Sequence, residues 1–457
     1  MAATRRVIVL CDGTWCGPET DTKSNIHYLA EMIGINMAVM PAVYISPGGN
    51  VRARYFSGVG LEGDFISYLW NGAFATKARE ECTEVYRFIA QNFDWNHIVH
   101  TEVWMFGISR GAYIVRSVAG LINNCGIIRT PAHQHLIDLA YDLYRSPHAV
   151  HRPSSPEMVL FRANVSHARR TPIKFMGIFD TVGSRGVPKL NYHTGTGFEW
   201  PDFHDNLVST TVEKVYHAVA VHDRFWAFQP CLASRDARHT SDPTLANLMI
   251  SQKWFPGCHY DLARQEFQFL REGGNWLEKA TFPILNIVSK TVTPNYKLAD
   301  LVLIWMLEGI DNEGGRIIIQ HNSDGTAGNM ATAINHSRHQ LNTLSVTGTG
   351  DVYGEILSYL PGGRLFSKPL CWFKNLNQTA YAILFKPVDR VIPDHGMSNG
   401  LGVRPVWNQV YDYTTADASL GGSVIEFIAR VGGIRYPSQT LQVFRAYMGA
   451  VGRSPWG

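Results

Sequence analysis

The sequence predicts an α/β protein built on a doubly wound, mostly parallel sheet, with helical insertions and a C-terminal extension. Three apolar runs, at residues 7–11, 103–106 and 173–179, lack polar alternation, which is typical of strands buried on both faces of a parallel sheet. Helical patterns follow these runs, as a doubly wound sheet requires. The chain has 457 residues, 45% hydrophobic and only 17% charged, which indicates a large folded core.

The elements of the first half alternate between strand and helix. The run at 7–11 ends at Asp12, and we expect this strand to be central in the sheet. Apolar residues between 65 and 90 recur at helical intervals and predict two helices. The strand at 103–106 is followed by a helical pattern over 112–122. This arrangement predicts one continuous strand-turn-helix unit.

The pattern becomes less regular after this helix. Residues 126–170 are rich in His, Pro and Arg, and their weak periodicity predicts a cap-like excursion out of the sheet. The next strand is expected at 173–179. Apolar positions between 212 and 219 predict a helix, and residues 253–255 predict a short strand that leads to His259.

The chain divides into two regions. Residues 1–308 are expected to form the α/β domain, with 126–170 as its cap. Glycine-rich turns and aromatic clusters follow, with little periodicity until a helix predicted near 423–431. We expect residues 309–457 to pack on the first domain and shape its pocket.

The composition argues against several classes of protein. A net charge of +3 with dispersed Lys and Arg gives no surface for nucleic acid. The apolar stretch before Asp12 is too short for a signal peptide, and the longest apolar run, 301–307, falls short of the ~20 residues of a membrane-spanning helix. Seven cysteines without a paired framework favour buried thiols in a reducing compartment. We therefore expect a cytoplasmic protein, with peripheral membrane contact and oligomeric state left open.

The pentapeptide Gly107-Ile108-Ser109-Arg110-Gly111 has the clearest chemical meaning. Gly-x-Ser-x-Gly between a strand and a helix forms a tight turn that exposes the serine hydroxyl as a nucleophile. A neighbouring base must then remove the hydroxyl proton. The pentapeptide alone also fits an ordinary glycine-rich turn, but its setting predicts a nucleophile elbow on an α/β-hydrolase-like fold.

Backbone donors near this serine are expected to form an oxyanion hole. The N–H of Arg110 lies directly after the nucleophile at a helix N-terminus, where it can bind developing negative charge. A second donor should come from an earlier loop, and Gly13 or Thr14, just past the first strand, are the candidates.

The partners of Ser109 should follow it in the order acid, then base. Asp180 follows a predicted strand and His259 follows the next short one, so both meet this condition. Other residues stay open for these roles. The alternative acids are Asp205, Asp223 and Asp300, and the alternative bases are His204, His217, His222 and His395.

Several ordered motifs resemble one known family. They are CDGTW at 11–15, GVG at 58–60, FGISRGAY at 106–113, FDTV at 179–182 and WFPG at 254–257. Together they closely resemble the α/β-hydrolase family that includes the phospholipase effectors of bacterial type VI secretion. The match covers about residues 5 to 308.

The resemblance implies roles for particular residues. It implies a triad of Ser109, Asp180 and His259 that acts on acyl esters, phospholipids being the substrates of the effector branch. It also implies that the loop from Asp12 to Trp15 lies at the active site, where these two residues would bind substrate. One departure is that the family usually continues from its histidine as Ser-Asp-Val-Gly-Gly-Gly, whereas the residues YDLAR follow here.

Three weaker signals point elsewhere. The Gly-x-Gly-x-x-Gly at 58–63 fits dinucleotide binding, but its preceding strand is short and the same glycines match the hydrolase family. The histidines have no metal-ligand spacing, and serine chemistry needs neither metal nor cofactor. The apolar stripe over 65–74 fits a lid that meets lipid, although such stripes are more often core.

The sequence thus predicts a serine hydrolase that cleaves an acyl ester through an acyl-enzyme, in the manner of a carboxylesterase, lipase or phospholipase. An acyltransferase, cyclase or thioesterase would use the same triad, and a non-catalytic binding protein would keep the fold with an unreactive serine. Acyl length, head group and regiochemistry depend on the pocket and are not predicted.

Overall fold

The computed structural model describes the following residues of the chain: 4–13, 23–58, 73–94, 100–167, 173–182, 189–191, 197–199, 208–220, 223, 230–233, 248–255, 257–265, 267–268, 291–292, 294, 296–315 and 334–335. Predictions for Thr14, Trp15, the stripe at 65–74 before Ala73, and the helix near 423–431 lie outside these residues. Among the described helices, none is both long and apolar enough to cross a membrane.

A seven-stranded sheet forms the centre of the fold. Its strands are β1 (Thr4–Cys11), β2 (Val43–Ile45), β3 (Val51–Phe56), β4 (His100–Ile108), β5 (Ile173–Phe179), β6 (Lys214–Ala220) and β7 (Met249–Phe255). The spatial order is β2-β3-β1-β4-β5-β6-β7, and every pair is parallel except β2 with β3. The predicted mostly parallel sheet and the central position of β1 are confirmed.

The helices pack on both faces of this sheet. They are α1 (Asn25–Ile33), α2 (Ala73–Asn92), α3 (Arg110–Cys125), α4 (Gln134–Arg145), α5 (Pro156–Val165), α6 (His259–Ala263) and α7 (Tyr296–Asn312). Strand β1 shows why its run is uniformly apolar, because Ile8 and Leu10 face the core with α1 and α7, while Val7 and Val9 face the core with α2 and α3. The protein is therefore a three-layer α/β structure.

The strand order places a crevice beside β1. The chain passes from β1 to β3 on one side and then to β4 on the other side of β1. In open α/β sheets, sites lie at the carboxyl ends of strands where the order reverses in this way. Cys11 of β1 pairs with Gly107 of β4, so Asp12 and Ser109 emerge at this point.

The predicted helix over 212–219 is wrong, because Lys214–Ala220 form strand β6 between β5 and β7. Residues 215–220 are all buried, so the strand lies between two apolar layers and lacks the alternation that identifies half-buried strands. Apolar positions at helical spacing occur there because residues 215–220 are apolar apart from His217.

Residues 126–167 are the described part of the predicted cap, and their main elements are helices α4 and α5 rather than strands of the main sheet. Helix α4 packs against α2 and α3, and α5 packs against α3. The segment is closed by a bridge between Ile128 and Ser166. These contacts put both helices in the layer on the α3 side of the sheet.

Candidate active site

Ser109 lies in a sharp turn between β4 and α3. Its φ of 55° is in the left-handed region, which is strained for a residue other than glycine. A Cβ at Gly107 would lie 2.5 Å from the carbonyl oxygen of Gly111, and a Cβ at Gly111 would lie 2.1 Å from that of Cys11. Gly107 therefore allows α3 to begin close to β4, Gly111 allows α3 to approach the end of β1, and the turn has the form of a nucleophile elbow.

His259 meets the serine from the opposite side of the crevice. Its Nε2 lies 2.8 Å from Oγ of Ser109, and both residues are buried, with 1% and 5% exposure. The histidine is the first residue of α6, after β7. The N–H of Cys258 donates to the carboxylate of Asp261 at 2.8 Å, which fixes the start of this short helix.

Asp180 completes a continuous hydrogen-bonded chain. Its Oδ2 lies 2.6 Å from Nδ1 of His259, and its Oδ1 accepts the N–H of Ala220 at 2.9 Å. Because a carboxylate only accepts, the proton of the imidazole lies on Nδ1 and leaves Nε2 able to accept from Ser109. The φ of Asp180 is 40°, a second strained backbone position in the same site.

The structure also places several of the alternative residues. Asp223 accepts the backbone N–H of His259 at 3.0 Å, and Asp300 forms a buried ion pair with Arg264. His217 is buried on β6, where its Nε2 accepts the N–H of Thr181 at 3.3 Å. Asp205, His204, His222 and His395 lie outside the described residues.

The sequence did not indicate the role of His217, because its pattern placed this residue in a helix rather than in strand β6. As a strand residue it lies next to Ile178 of β5, and its Nδ1 is 2.9 Å from the side-chain oxygen of Gln252. His217 therefore stabilises the turn that contains Asp180 and Thr181, through its hydrogen bond to the N–H of Thr181. An apolar run that contains one histidine gives no sequence signal for this contact.

Two of the three predicted oxyanion donors, Arg110 and Gly13, lie among the described residues and differ in their surroundings. Arg110 is the first residue of α3, so its N–H lies at the positive end of the helix dipole. The N–H of Gly13 donates to Oδ1 of Asp12 at 2.8 Å, although a Cβ on Gly13 would lie only 3.2 Å from that of Ser109. Gly13 therefore packs against the serine, but its amide is directed at Asp12.

Asp12 lies at the carboxyl end of β1 and is 3% exposed. Its Oδ2 accepts the hydroxyls of Ser24 at 2.6 Å and Tyr55 at 2.7 Å. Burial raises the pKa of the Asp12 carboxyl, and the hydrogen bonds from Ser24, Tyr55 and Gly13 offset part of that increase. Both oxygens of this carboxylate therefore hold the loop in place, and the substrate contact of Asp12 stays a prediction.

The sequence after His259, which departs from the resembled family, forms a compact helix end. Arg264 has a φ of 58°, and its guanidinium lies over the rings of Tyr28 and Tyr296. It also pairs with Asp300 between α6 and α7. A charged residue thus occupies a left-handed position that favours glycine, and the ion pair and ring contacts stabilise it there.

No cluster of three His, Cys, Asp or Glu side chains that could hold a metal occurs in the part of the chain that the structure describes. The five cysteines described there are buried and form no disulfide with one another, which agrees with the predicted buried thiols. Burial raises the pKa of Cys125 to about 12 and that of Cys11 well above its ordinary value. The raised pKa keeps the thiols of Cys11 and Cys125 protonated at neutral pH.

The parallel sheet and the elbow at its topological switch point define an α/β-hydrolase-type fold. The family described as "T6SS, Phospholipase effector Tle1-like, catalytic domain" matches residues 5–309. The chain belongs to this family, as the sequence motifs indicated. The family is one of ester-hydrolysing effectors, and the match covers the elements that carry Ser109, Asp180 and His259.

Individual relatives are more distant. An uncharacterized protein of Saccharomyces cerevisiae is 26% identical over 172 residues, which are 36% of this chain and 23% of the yeast protein, so the match spans less than a quarter of that relative. The solved structure of the Tle1 effector bound to the VgrG spike of the type 6 secretion system is 15% identical, with a TM-score of 0.34 over 76% of this chain and 81% of that one. An uncharacterized protein of Pseudomonas aeruginosa is 13% identical, with a TM-score of 0.32 over 97% of this chain and 64% of its own.

Proposed function

We propose that this protein is a serine hydrolase that cleaves a lipid acyl ester. In the proposed triad, Ser109 is the nucleophile, His259 is the general base, and Asp180 is the carboxylate that orients His259. The observation that carries the proposal is the unbroken chain from Ser109 Oγ through the imidazole of His259 to Asp180, with links of 2.8 and 2.6 Å. Family membership supports the choice of an ester as the reacting group.

The proposed reaction proceeds in two steps. His259 takes the proton of the Ser109 hydroxyl as Oγ attacks the ester carbonyl carbon, and the resulting imidazolium donates that proton to the departing alcohol. An acyl-serine ester remains. A water molecule then attacks it with His259 again as base, and the acid leaves as Ser109 regains its proton.

Asp180 has two tasks in this scheme. It keeps the proton on Nδ1 of His259, which leaves Nε2 free to act, and its charge stabilises the imidazolium. The N–H of Ala220 holds its second oxygen in place. We also propose that the Arg110 amide binds the oxyanion, where one such donor is worth about 3–4 kcal/mol in known enzymes.

Substrate preference is tested with p-nitrophenyl esters of increasing acyl length beside phospholipid vesicles. The wild type should release acid from at least one of these substrates, and Ser109→Ala should lower kcat by roughly 10⁶-fold, to background. Ser117→Ala is the matched control, because Ser117 is a buried serine of the same helix. Equal hydrolysis by wild type and Ser109→Ala contradicts the proposal, and ester formation with an added alcohol in place of acid release identifies an acyltransferase.

A further inference from the structure

The N-cap and the first residue of α1 contact opposite sides of the catalytic crevice. Ser24 is the N-cap of α1 and Asn25 its first residue, and both side chains are fully buried. Burying such polar groups costs free energy unless each finds hydrogen-bond partners. Both find partners in other elements, on different sides of Ser109.

Ser24 holds the loop at the end of β1. Its hydroxyl accepts the N–H of His27 at 3.1 Å, as an N-cap does, and donates its proton to Asp12 Oδ2 at 2.6 Å. The other oxygen of Asp12 accepts the N–H of Gly13, which packs against the Cβ of Ser109. A change in the Ser24 contact is therefore transmitted to the wall beside the nucleophile.

Asn25 holds the helix that begins with His259. Its Nδ2 donates to the carbonyls of Leu262 in α6 and Ala299 in α7, both at 2.9 Å. Its Oδ1 accepts from Nε of Arg264 at 3.3 Å. These three bonds fix the C-terminal end of α6 and thereby the direction of its first residue.

We propose that Ser24 and Asn25 are positioning residues that form one bridge, holding the Asp12–Gly13 loop and the His259 helix in register across Ser109. This proposal rests on the proposed function. The two residues are joined by one planar peptide and held by the start of α1, so a displacement of one is passed to the other. A reaction that depends on near-attack geometry is sensitive to such displacement, since a 1 Å error costs as much as about 10²-fold in rate.

The first test removes the Ser24 hydroxyl while keeping the helix start. Ser24→Gly loses the bond to Asp12 but retains a good N-cap residue, so α1 should form. Ser155→Gly is the matched control, because Ser155 caps α5 in the same way and donates its hydroxyl to Val150, away from the crevice. Rates of labelling by a fluorophosphonate and the separate values of kcat and KM on a p-nitrophenyl ester are measured for each.

The bridge predicts a kcat effect that stability does not explain. At a temperature well below the Tm of every variant, Ser24→Gly should lower kcat and the labelling rate on the order of tenfold with KM nearly unchanged, while Ser155→Gly keeps wild-type rates. Wild-type kcat in Ser24→Gly, or an equal fall in Ser155→Gly, overturns the proposal.

The second test asks whether the two residues act as one unit. Asn25→Ala should reduce kcat to a similar extent, and the double variant should lose no more than the worse single variant, because either break uncouples the two sides. Losses that multiply mean two independent contacts and overturn the bridge. A failure of the proposed function gives a different result, because the wild type itself is then not labelled. In that case the proposed bridge is also wrong.

Discussion

Asp12 and Asp180 are two buried aspartates in closely similar settings, and their partners give them different tasks. Each directly follows an apolar parallel strand, and these strands, β1 and β5, flank the strand that carries Ser109. Asp180 receives one histidine nitrogen and one backbone N–H, whereas Asp12 receives two hydroxyls and one backbone N–H. The comparison teaches that the role of a buried carboxylate is set by donors that distant segments bring to it.

The largest expected effect comes from Asp180. Asp180→Asn should lower kcat by roughly 10⁴-fold, because an amide no longer enforces the Nδ1 tautomer of His259. Steady-state kinetics on a p-nitrophenyl ester measures this, with the Tm as a check on folding. A variant that keeps more than a tenth of wild-type kcat would show that Asp180 is not the acid of the triad.

Asp12→Asn should have an intermediate effect, lowering kcat by about 10- to 100-fold through displacement of the loop beside Ser109. In the wild type, one oxygen of Asp12 accepts the hydroxyls of Ser24 and Tyr55, and the other accepts the N–H of Gly13. The side chain of Asn has only one acceptor oxygen, so at least one of these bonds is lost. The same kinetic assay gives the result. A loss as large as that of Asp180→Asn would erase the proposed difference between the two aspartates.

The raised pKa of Asp12 also predicts a pH effect on stability. Because the folded-state pKa exceeds the unfolded one, the folded protein binds this proton more tightly, and stability rises as pH falls through the raised pKa. Above that pH, the buried charge is a cost. The free energy of unfolding in urea should increase as the pH falls through the raised pKa in the wild type, and Asp12→Asn should lack this increase. An identical pH dependence in both proteins would contradict the account.

Asp223 should give a smaller effect, because it acts on the His259 backbone rather than on the ring. Asp223→Ala removes the acceptor of that N–H and should lower kcat on the order of tenfold, whereas Asp223→Asn retains an oxygen acceptor and should lose less. If Asp223→Asn instead matched Asp180→Asn, the charge of Asp223 would be part of the triad.

The smallest effect is expected at an exposed aspartate outside the site. Asp142 pairs with Arg79 on the surface, and hydrogen bonding to Arg79 lowers the pKa of its carboxyl. The ion pair stabilises the folded protein at pH values above the pKa that Asp142 has in the unfolded chain. This stabilisation is lost as the pH falls through the lower pKa of Asp142 in the folded protein. Asp142→Asn should change the free energy of unfolding by about 0–1 kcal/mol and leave kcat unchanged, so an activity loss here would show that the site senses distant charge.

The sequence predicts the parts of the site whose signals are local. Strands β1, β4 and β5 are continuous apolar runs, the elbow is a short motif, and Asp180 and His259 follow their strands in the order the fold requires. The structure brings these three residues together. The departure after His259 is also visible in sequence, although Arg264 gives no sign there of its partners in α1 and α7.

Contacts between distant segments could not be predicted in this way. Ser24 is a good N-cap residue in sequence, but nothing indicates that its hydroxyl reaches Asp12. Asn25 contacts residues more than 200 positions away, which only the packing of α1 against α6 and α7 explains. The error at β6 has the same origin, because the layers on both sides of the sheet, rather than local propensity, make that run a strand.

The central claim is that Ser109 is an activated nucleophile, and covalent labelling tests it most directly. A fluorophosphonate reacts with an activated serine to give a stable adduct, which intact-protein and peptide mass spectrometry locate. The account predicts one adduct on Ser109, its absence in Ser109→Ala, and strongly slowed labelling in Asp180→Asn. A folded wild type that remains unlabelled, or an adduct on another residue that survives in Ser109→Ala, would contradict it.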